Sequence, residues 1–323
     1  RPPTKYVVDE RFEFRTADGR TTRHNAAGFR ADREFGPKPP DTLRVICLGG
    51  STTYGVSVVD NAATYPAALE RFLNGEFRPA GRARVEVLNL GVGGYTSREV
   101  LGNLTRHGLP LEPDVVLVQC GVNDAAPRFY RDFSPDYAHF RKPMRPLRAP
   151  RPARLAFRSE LLVMLGWRLG LLDSLTLQAR TRHPLPPAAE WMDDLRRNGP
   201  GAYRRNLAGI VARSRAAGAE PWLVTQAHLF SSAFRGRTEE MRLLDAAYKQ
   251  GLVEHNAVMR QLAAERATPL VDLDRRMRRA PAYFHDPIHM TEAGNLVKAR
   301  LIAEALQRKL SPDTAAADES GQR

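Results

Sequence analysis

Four short stretches of this 323-residue chain carry residue types that suit acyl chemistry. They read GGSTTYG (49–55), NLGVGGYTS (89–97), GVNDA (121–125) and HDPIHMTEAGN (285–295). Ser51 offers a hydroxyl, a weak nucleophile until a base takes its proton in the transition state. A base with a pKa near neutrality suggests histidine, and His289 lies three residues after Asp286. On a helical turn that spacing puts both side chains on one side, where the carboxylate can hold the imidazole tautomer and stabilise the imidazolium. A tetrahedral oxyanion then needs donors. The backbone N–H of Ser51, a backbone N–H of the GVGG turn and the side-chain amide of Asn123 are the candidates.

Each piece has a plainer reading when taken alone. A glycine-flanked serine after a strand is usually a turn, GVGG is a common tight turn, and Asn123–Asp124 reads as a loop or a helix cap. The HDPIH stretch could also be a cap, or a metal pair with His285 as third ligand and His228 as a fourth candidate, although nothing in the spacing brings three ligands to one point. A phosphate cradle is disfavoured because no lysine accompanies GGSTTYG, and GVGGYTS does not fit Gly-x-Gly-x-x-Gly. The order of the four pieces along the chain weighs more than any one of them.

The elements that must position them form a repeating pattern. Apolar, β-forming runs occur at 43–48, 84–90, 113–121, 220–228 and 268–273. Helical patterns occur at 64–77, 96–107, 199–219, 238–266 and 291–310. Continuous apolar strands alternating with helices predict an α/β fold whose parallel sheet is covered on both faces. Ligands then bind beyond the carboxyl ends of the strands, where all four stretches fall.

Residues 1–41 read as a polar N-terminal extension with a hairpin around Asp18-Gly19. Residues 42–310 form the main domain, and 311–323 a disordered tail. The segment 125–198, between strands three and four, carries no strand pattern. It opens with the basic, proline-rich RKPMRPLRAPRPARLAFR (141–158) and continues into the apolar SELLVMLGWRLGLLDSLTL (159–177). It is expected to be a helical insertion forming a cap over the site. The alternatives are an ordinary helical excursion and contact with a membrane surface.

The formal net charge of +13, carried mostly by scattered arginines, matches no nucleic-acid-binding motif and is read as codon bias ahead of an anionic glycan or membrane partner. Cys47 and Cys120 both fall in apolar strand patterns and read as core thiols.

Together the four stretches resemble the SGNH hydrolases of the GDSL esterase/lipase superfamily, whose blocks carry Ser, Gly, Asn and His in this chain order. The resemblance covers about residues 42–126 and 219–310. It places the nucleophile on Ser51, the second-block glycine on Gly94, the oxyanion-donating asparagine on Asn123, and the Asp-x-x-His pair on Asp286 and His289. The first block departs from the family pattern, because Gly50 stands where the family usually has aspartate. The resemblance implies a three-layer α/β/α sandwich with a five-stranded, flavodoxin-like parallel sheet, and a serine esterase needing no metal or cofactor. Some relatives transfer the acyl group instead of hydrolysing it.

The expected activity is cleavage of small, acetyl-like esters on a carbohydrate. The alternatives are an O-acyltransferase, a lipase-like acylhydrolase and an inactive glycan-binding module. Tyr54, Tyr95, Gln226 and His228 sit on the strand-end loops and are the candidate substrate-binding residues. If a signal or anchor precedes Arg1, the enzyme works outside the cytoplasm.

Overall fold

Every residue of the strand Thr42–Gly49 (β3) is buried. Its side chains alternate between two cores, with Val45 and Cys47 in one and Ile46 and Leu48 in the other. A strand buried on both faces needs helices on both sides, which selects a parallel sheet. In the computed structural model that sheet has five strands: β3, Arg84–Gly91 (β4), Val115–Gln119 (β5), Glu220–Val224 (β6) and Leu270–Val271 (β7). All neighbours are parallel, in the order β4-β3-β5-β6-β7. The structure describes residues 14–15, 21–79, 81, 83–141, 183–230 and 238–310.

Helices Tyr65–Asn74 (α2) and Glu292–Leu310 (α8) cover one face. Leu69, Leu73, Ile302 and Leu306 pack there on Val45, Leu117 and Trp222. Helices Ser97–Asn103 (α3), Gly201–Ala216 (α5) and Glu239–Glu265 (α6) cover the other, through Val100, Leu207, Ile210, Met259 and Leu262. The long α6 starts where its sequence directs: Thr238 caps it by accepting from Met241 N at 3.2 Å, with Glu239 and Glu240 in the first turn. The three-layer sandwich and the five parallel strands expected from the sequence are both present.

The strand order is the flavodoxin-like 2-1-3-4-5. Its topological switch point lies between β3 and β5, where the connections diverge and leave a crevice at the strand ends.

The N-terminal hairpin forms between Phe14–Arg15 (β1) and Thr21–Thr22 (β2). The segment after it packs on the loop following β3. Arg30, 3% exposed, donates to Gly55 O and Val59 O at 2.6 Å each and to Asn61 Oδ1 at 2.8 Å. Burial lowers its pKa to about 10. Cys47 and Cys120 are buried free thiols, and burial pushes the Cys47 thiol up to about 12.

The described ends of the 125–198 insertion form a third apolar cluster. Phe129 stacks on Trp191 of the helix Trp191–Arg197 (α4), and Ala247 of α6 completes the contact. The apolar stretch 159–177, on which a cap or a membrane contact would depend, lies outside the described residues. No helix among the described residues is long and apolar enough to cross a membrane.

Candidate active site

Ser51 opens the four-residue helix Ser51–Tyr54 (α1) directly after β3. The register that pairs Gly49 with Gln119 sets this turn beside the end of β5. A Cβ on Gly50 would lie 2.8 Å from Asn123 Nδ2 and 3.3 Å from Tyr95 O. Glycine therefore admits the Asn123 amide against the serine turn. A side chain at this position would have to shift the movable end of the Asn123 side chain.

Ser51 Oγ lies 2.7 Å from His289 Nε2, and His289 Nδ1 lies 2.6 Å from Asp286 Oδ2. The expected helical turn is absent. Asp286–His289 is an irregular bend, because Pro287 disfavours helical geometry for the residue before it. The bend brings the pair together by another route. Asp286 Oδ1 accepts from the backbone N–H groups of Ile288 at 3.0 Å and His289 at 2.9 Å, while Oδ2 faces the ring. The bend is anchored by a bridge between Phe284 and Met290 and by Leu229 N donating to Pro287 O at 2.7 Å.

Burial opposes ionisation of Asp286, but the His289 hydrogen bond and charge and the two N–H donors outweigh it and hold the carboxyl at about 2. An ionised carboxylate only accepts, so the His289 proton sits on Nδ1 and Nε2 accepts from the Ser51 hydroxyl. This arrangement can take a proton from serine during attack on a carbonyl.

Asn123 lies in the 3-10 turn Val122–Asp124 after β5. Its Nδ2 donates to Tyr95 O at 2.9 Å. A primary amide carries two N–H groups, so one remains for a ligand. Gly94 adopts φ +80, the left-handed geometry that lets the second loop turn. It stands beside the crevice rather than on its wall, where Tyr95 takes the place. Two contacts fix this loop. Thr96 and Glu99 form a capping box at the start of α3, and Arg141, from the first arm of the insertion, donates to Gly94 O at 2.7 Å and pairs with Glu99.

Asp124 ties the third loop to the second. It is fully buried and accepts from Ser97 N at 3.0 Å, from Ser97 Oγ and from Tyr137 OH at 3.0 Å. Burial pushes its pKa up from 3.8 to about 7, against the bonds from Ser97 and Tyr137. Because the folded pKa is raised, this group's contribution to stability is full below about pH 4 and is lost as pH rises through about 7. Urea unfolding at pH 5 and pH 7.5 should therefore show the wild type losing stability with a slope of up to about 1.4 kcal/mol per pH unit from this group. The slope should shrink in Asp124→Asn; an equal slope in the two proteins would assign it elsewhere.

The crevice beside Ser51 is tight, with no room for a water-sized sphere. Gly50–Thr52 form one wall and Gln119–Asn123 the other, with Tyr95 and Gln226 closing it. Of the four candidate substrate-binding residues, the structure thus brings Tyr95 and Gln226 to the site. Tyr54 is turned away: its hydroxyl lies 2.9 Å from His24 Nε2, and Arg30 sits 5.3 Å from its ring centre. His228 is buried with Nε2 3.6 Å from Asp274 Oδ1, and burial, with Arg279 nearby, lowers its pKa to about 4. His285 is exposed and uses its backbone N–H on His289 O at 2.8 Å. Among the described residues no group of three or more His, Cys, Asp or Glu side chains is arranged to hold a metal.

Two residues of the site escape a reading by motif. Gln119 lies on the crevice wall, and Lys298 stands behind it, 1% exposed. Lys298 Nζ donates to Gln119 Oε1 and to Thr52 O at 3.3 Å, and rests 3.5 Å from the centre of the Tyr65 ring. Burial lowers its pKa well below the ordinary lysine value. A signal for it exists in the sequence. Asn295, Lys298, Ile302 and Leu306 share one helical stripe, which places a lysine on the core face of α8.

A flavodoxin-like sandwich with serine, histidine and aspartate in hydrogen-bonded series at its switch point defines an α/β enzyme of the serine-hydrolase kind. More narrowly, the chain belongs to the GDSL-like lipase/acylhydrolase family, whose model matches residues 47–297. It is therefore of the carboxylic ester hydrolase class.

Similar solved structures include a lipase/acylhydrolase from Enterococcus faecalis, 17% identical, with TM-score 0.47, covering 83% of this chain and 97% of that one. An acetylxylan esterase from Geobacillus stearothermophilus is 14% identical, with TM-score 0.46, covering 82% and 94%. An alpha/beta hydrolase from the metagenome of Lake Arreo, Spain, is 20% identical, with TM-score 0.45, covering 84% and 96%. A search of curated proteins returned no match.

Proposed function

We propose that this chain hydrolyses esters of small acyl groups through an acyl-enzyme on Ser51. The observation that carries the reading is the continuous series from Ser51 Oγ through the His289 ring to Asp286, at 2.7 and 2.6 Å. Ser51 Oγ attacks the ester carbonyl carbon as its proton passes to His289 Nε2, and Asp286 stabilises the imidazolium. The oxyanion accepts from the remaining Asn123 N–H, from Ser51 N–H and from Gly94 N–H. Collapse breaks the bond to the alkoxy oxygen, which takes the proton from His289 and leaves as the alcohol. Water then attacks the acyl-enzyme with His289 again accepting the proton, and the acid is released.

The narrowness of the crevice supports the acyl preference: it has no room for a water-sized sphere, so the described residues form no ready-made channel for a long acyl chain. A sugar hydroxyl is the alcohol we propose. The support is an exposed imidazole, His285, and a part-buried phenol, Tyr283, within six residues of His289, groups able to bond or stack on a saccharide.

A panel of chromogenic esters tests the acyl side. kcat/KM should be greatest for acetate to butyrate and about tenfold lower or less by octanoate, since extra methylenes overfill the crevice. Activity that rises towards octanoate would replace this reading with a lipase-like one. The same panel should include acetylated saccharides, whose cleavage at rates no better than those of simple alkyl acetates would count against the sugar.

A further inference from the structure

Ser51 and His289 lie 238 positions apart in the chain, and their side chains meet at 2.7 Å. Proton transfer needs that distance to be held. The loop 55–59, which follows α1, is bonded to the backbone on both sides of the contact. At its start, Gly55 N and Val56 N donate to Ser51 O at 2.9 and 3.2 Å. At its tip, the Ser57 hydroxyl donates to the carbonyl oxygen of Met290, the residue after His289. Met290 is buried, and its bridge to Phe284 belongs to the bend that carries His289. The loop thus ties the serine's helix to the histidine's bend, alongside the side-chain bond itself.

A loop sets a distance only if it is rigid, and surface loops are ordinarily among the mobile parts of a fold. Here one guanidinium holds both ends. Arg30 Nη1 donates to Gly55 O and Nη2 to Val59 O, at 2.6 Å each, and Nε donates to Asn61 Oδ1 at 2.8 Å. The planar fork presents these donors in fixed directions. Val58 N donates to Gly55 O at 3.2 Å inside the loop. Around it the N-terminal segment closes the network. Asn61 Nδ2 donates to Asp32 Oδ1 at 3.0 Å and to Arg23 O at 3.1 Å, and Thr22 Oγ1 donates to Val59 O at 2.5 Å. All these N-terminal partners lie before residues 47–297, the part of the chain that matches the family.

We propose that Arg30 and Ser57 are positioning residues for the reaction: Arg30 locks the loop 55–59, and Ser57 uses the locked loop to hold His289 at proton-transfer distance from Ser51. The segment around Arg30 is then a working part of the enzyme and not an appendage to it. The inference rests on Ser51 as the nucleophile and His289 as its base.

A misplacement of about 1 Å caused away from the chemistry can cost about 10²-fold in rate. The test reads kcat per site, with sites counted by fluorophosphonate labelling carried to completion, so a lowered folded fraction does not enter. Ser57→Ala should lower kcat about tenfold or more and leave KM within about twofold. Ser57→Thr, which restores a hydroxyl, should return to within about threefold of the wild type. Arg30→Met should lower kcat in the same way, and Arg30→Met/Ser57→Ala should be no slower than the slower single variant, because both changes break one strap. Should Arg30→Met fold poorly, Arg30→Lys, which keeps the charge and loses the fork, takes its place. A Ser57→Ala enzyme with kcat per site within about twofold of the wild type overturns the proposal, as does a Ser57→Thr enzyme no faster than Ser57→Ala. Losses that multiply in the double variant also overturn it, since Arg30 would then act apart from Ser57. A wild type that the probe leaves unlabelled at Ser51 overturns the nucleophile's assignment and this inference with it. Labelled sites with unchanged variant rates overturn this inference alone.

Discussion

Ser51→Ala should lower kcat by about 10⁴- to 10⁶-fold on every ester the wild type cleaves, with KM little changed. The change removes one oxygen whose described contact is His289 Nε2. It leaves the backbone of α1 intact, along with the close approach of Asn123 to Gly50 and the anchoring of Thr52 O by Lys298. The stability effect should stay within about 1 kcal/mol, the net contribution of a single hydrogen bond. A fluorophosphonate probe should label the wild type at Ser51 and leave the variant unlabelled. The residual rate of the variant would come from the oxyanion donors and from binding alone. A folded Ser51→Ala protein keeping more than about a hundredth of the activity would remove Ser51 from the nucleophile's role, because no other hydroxyl is in contact with His289 among the described residues.

The parts of the site that were legible in the sequence are those fixed by local pattern. Strands buried on both faces read as apolar runs, and the parallel sheet then dictates that Ser51, Asn123 and the loop at Gly94 emerge at one edge. What decides the remainder is contact between residues far apart in the chain. Lys298 and Gln119 are 179 positions apart, and only the packing of α8 across the sheet brings them together. Tyr54, one turn beyond the serine, suggested a wall for the substrate. It was claimed instead by His24 and Arg30 from the N-terminal segment, whose docking leaves no periodic signal. The Asp-x-x-His spacing was recognised but its backbone was not. Pro287 between the two residues already argues against a helical turn, and the same pairing is reached by an aspartate that accepts from the N–H groups two and three residues ahead. The glycine at position 50 looked like an erosion of the first block. In the fold it lies against the Asn123 amide, whose Nδ2 is 2.8 Å from where a Cβ would sit.

Asp286→Asn carries the second large effect, and it separates a tautomer-setting carboxylate from a merely structural one. The amide can keep Oδ1 on the N–H groups of Ile288 and His289, so the bend survives. Its NH₂ then faces His289 Nδ1. A ring nitrogen facing a donor must accept, which moves the histidine proton to Nε2, where it points at Ser51 and cannot take up the hydroxyl proton. kcat should fall by about 10⁴-fold, as when other serine triads lose their carboxylate. A second readout follows from the lowered pKa of Asp286. A carboxyl held at about 2 in the folded state and near 3.8 when unfolded contributes stability that is present above about pH 4 and lost as the pH falls through 2. The variant should therefore lose less stability than the wild type between pH 4 and pH 2. The decisive comparison is the double variant. If Ser51, His289 and Asp286 act as one unit, Ser51→Ala/Asp286→Asn should be no slower than Ser51→Ala alone, because without the nucleophile the tautomer of His289 has nothing left to activate. Multiplying losses in the double variant would instead show that Asp286 acts on the rate by a path that does not pass through Ser51.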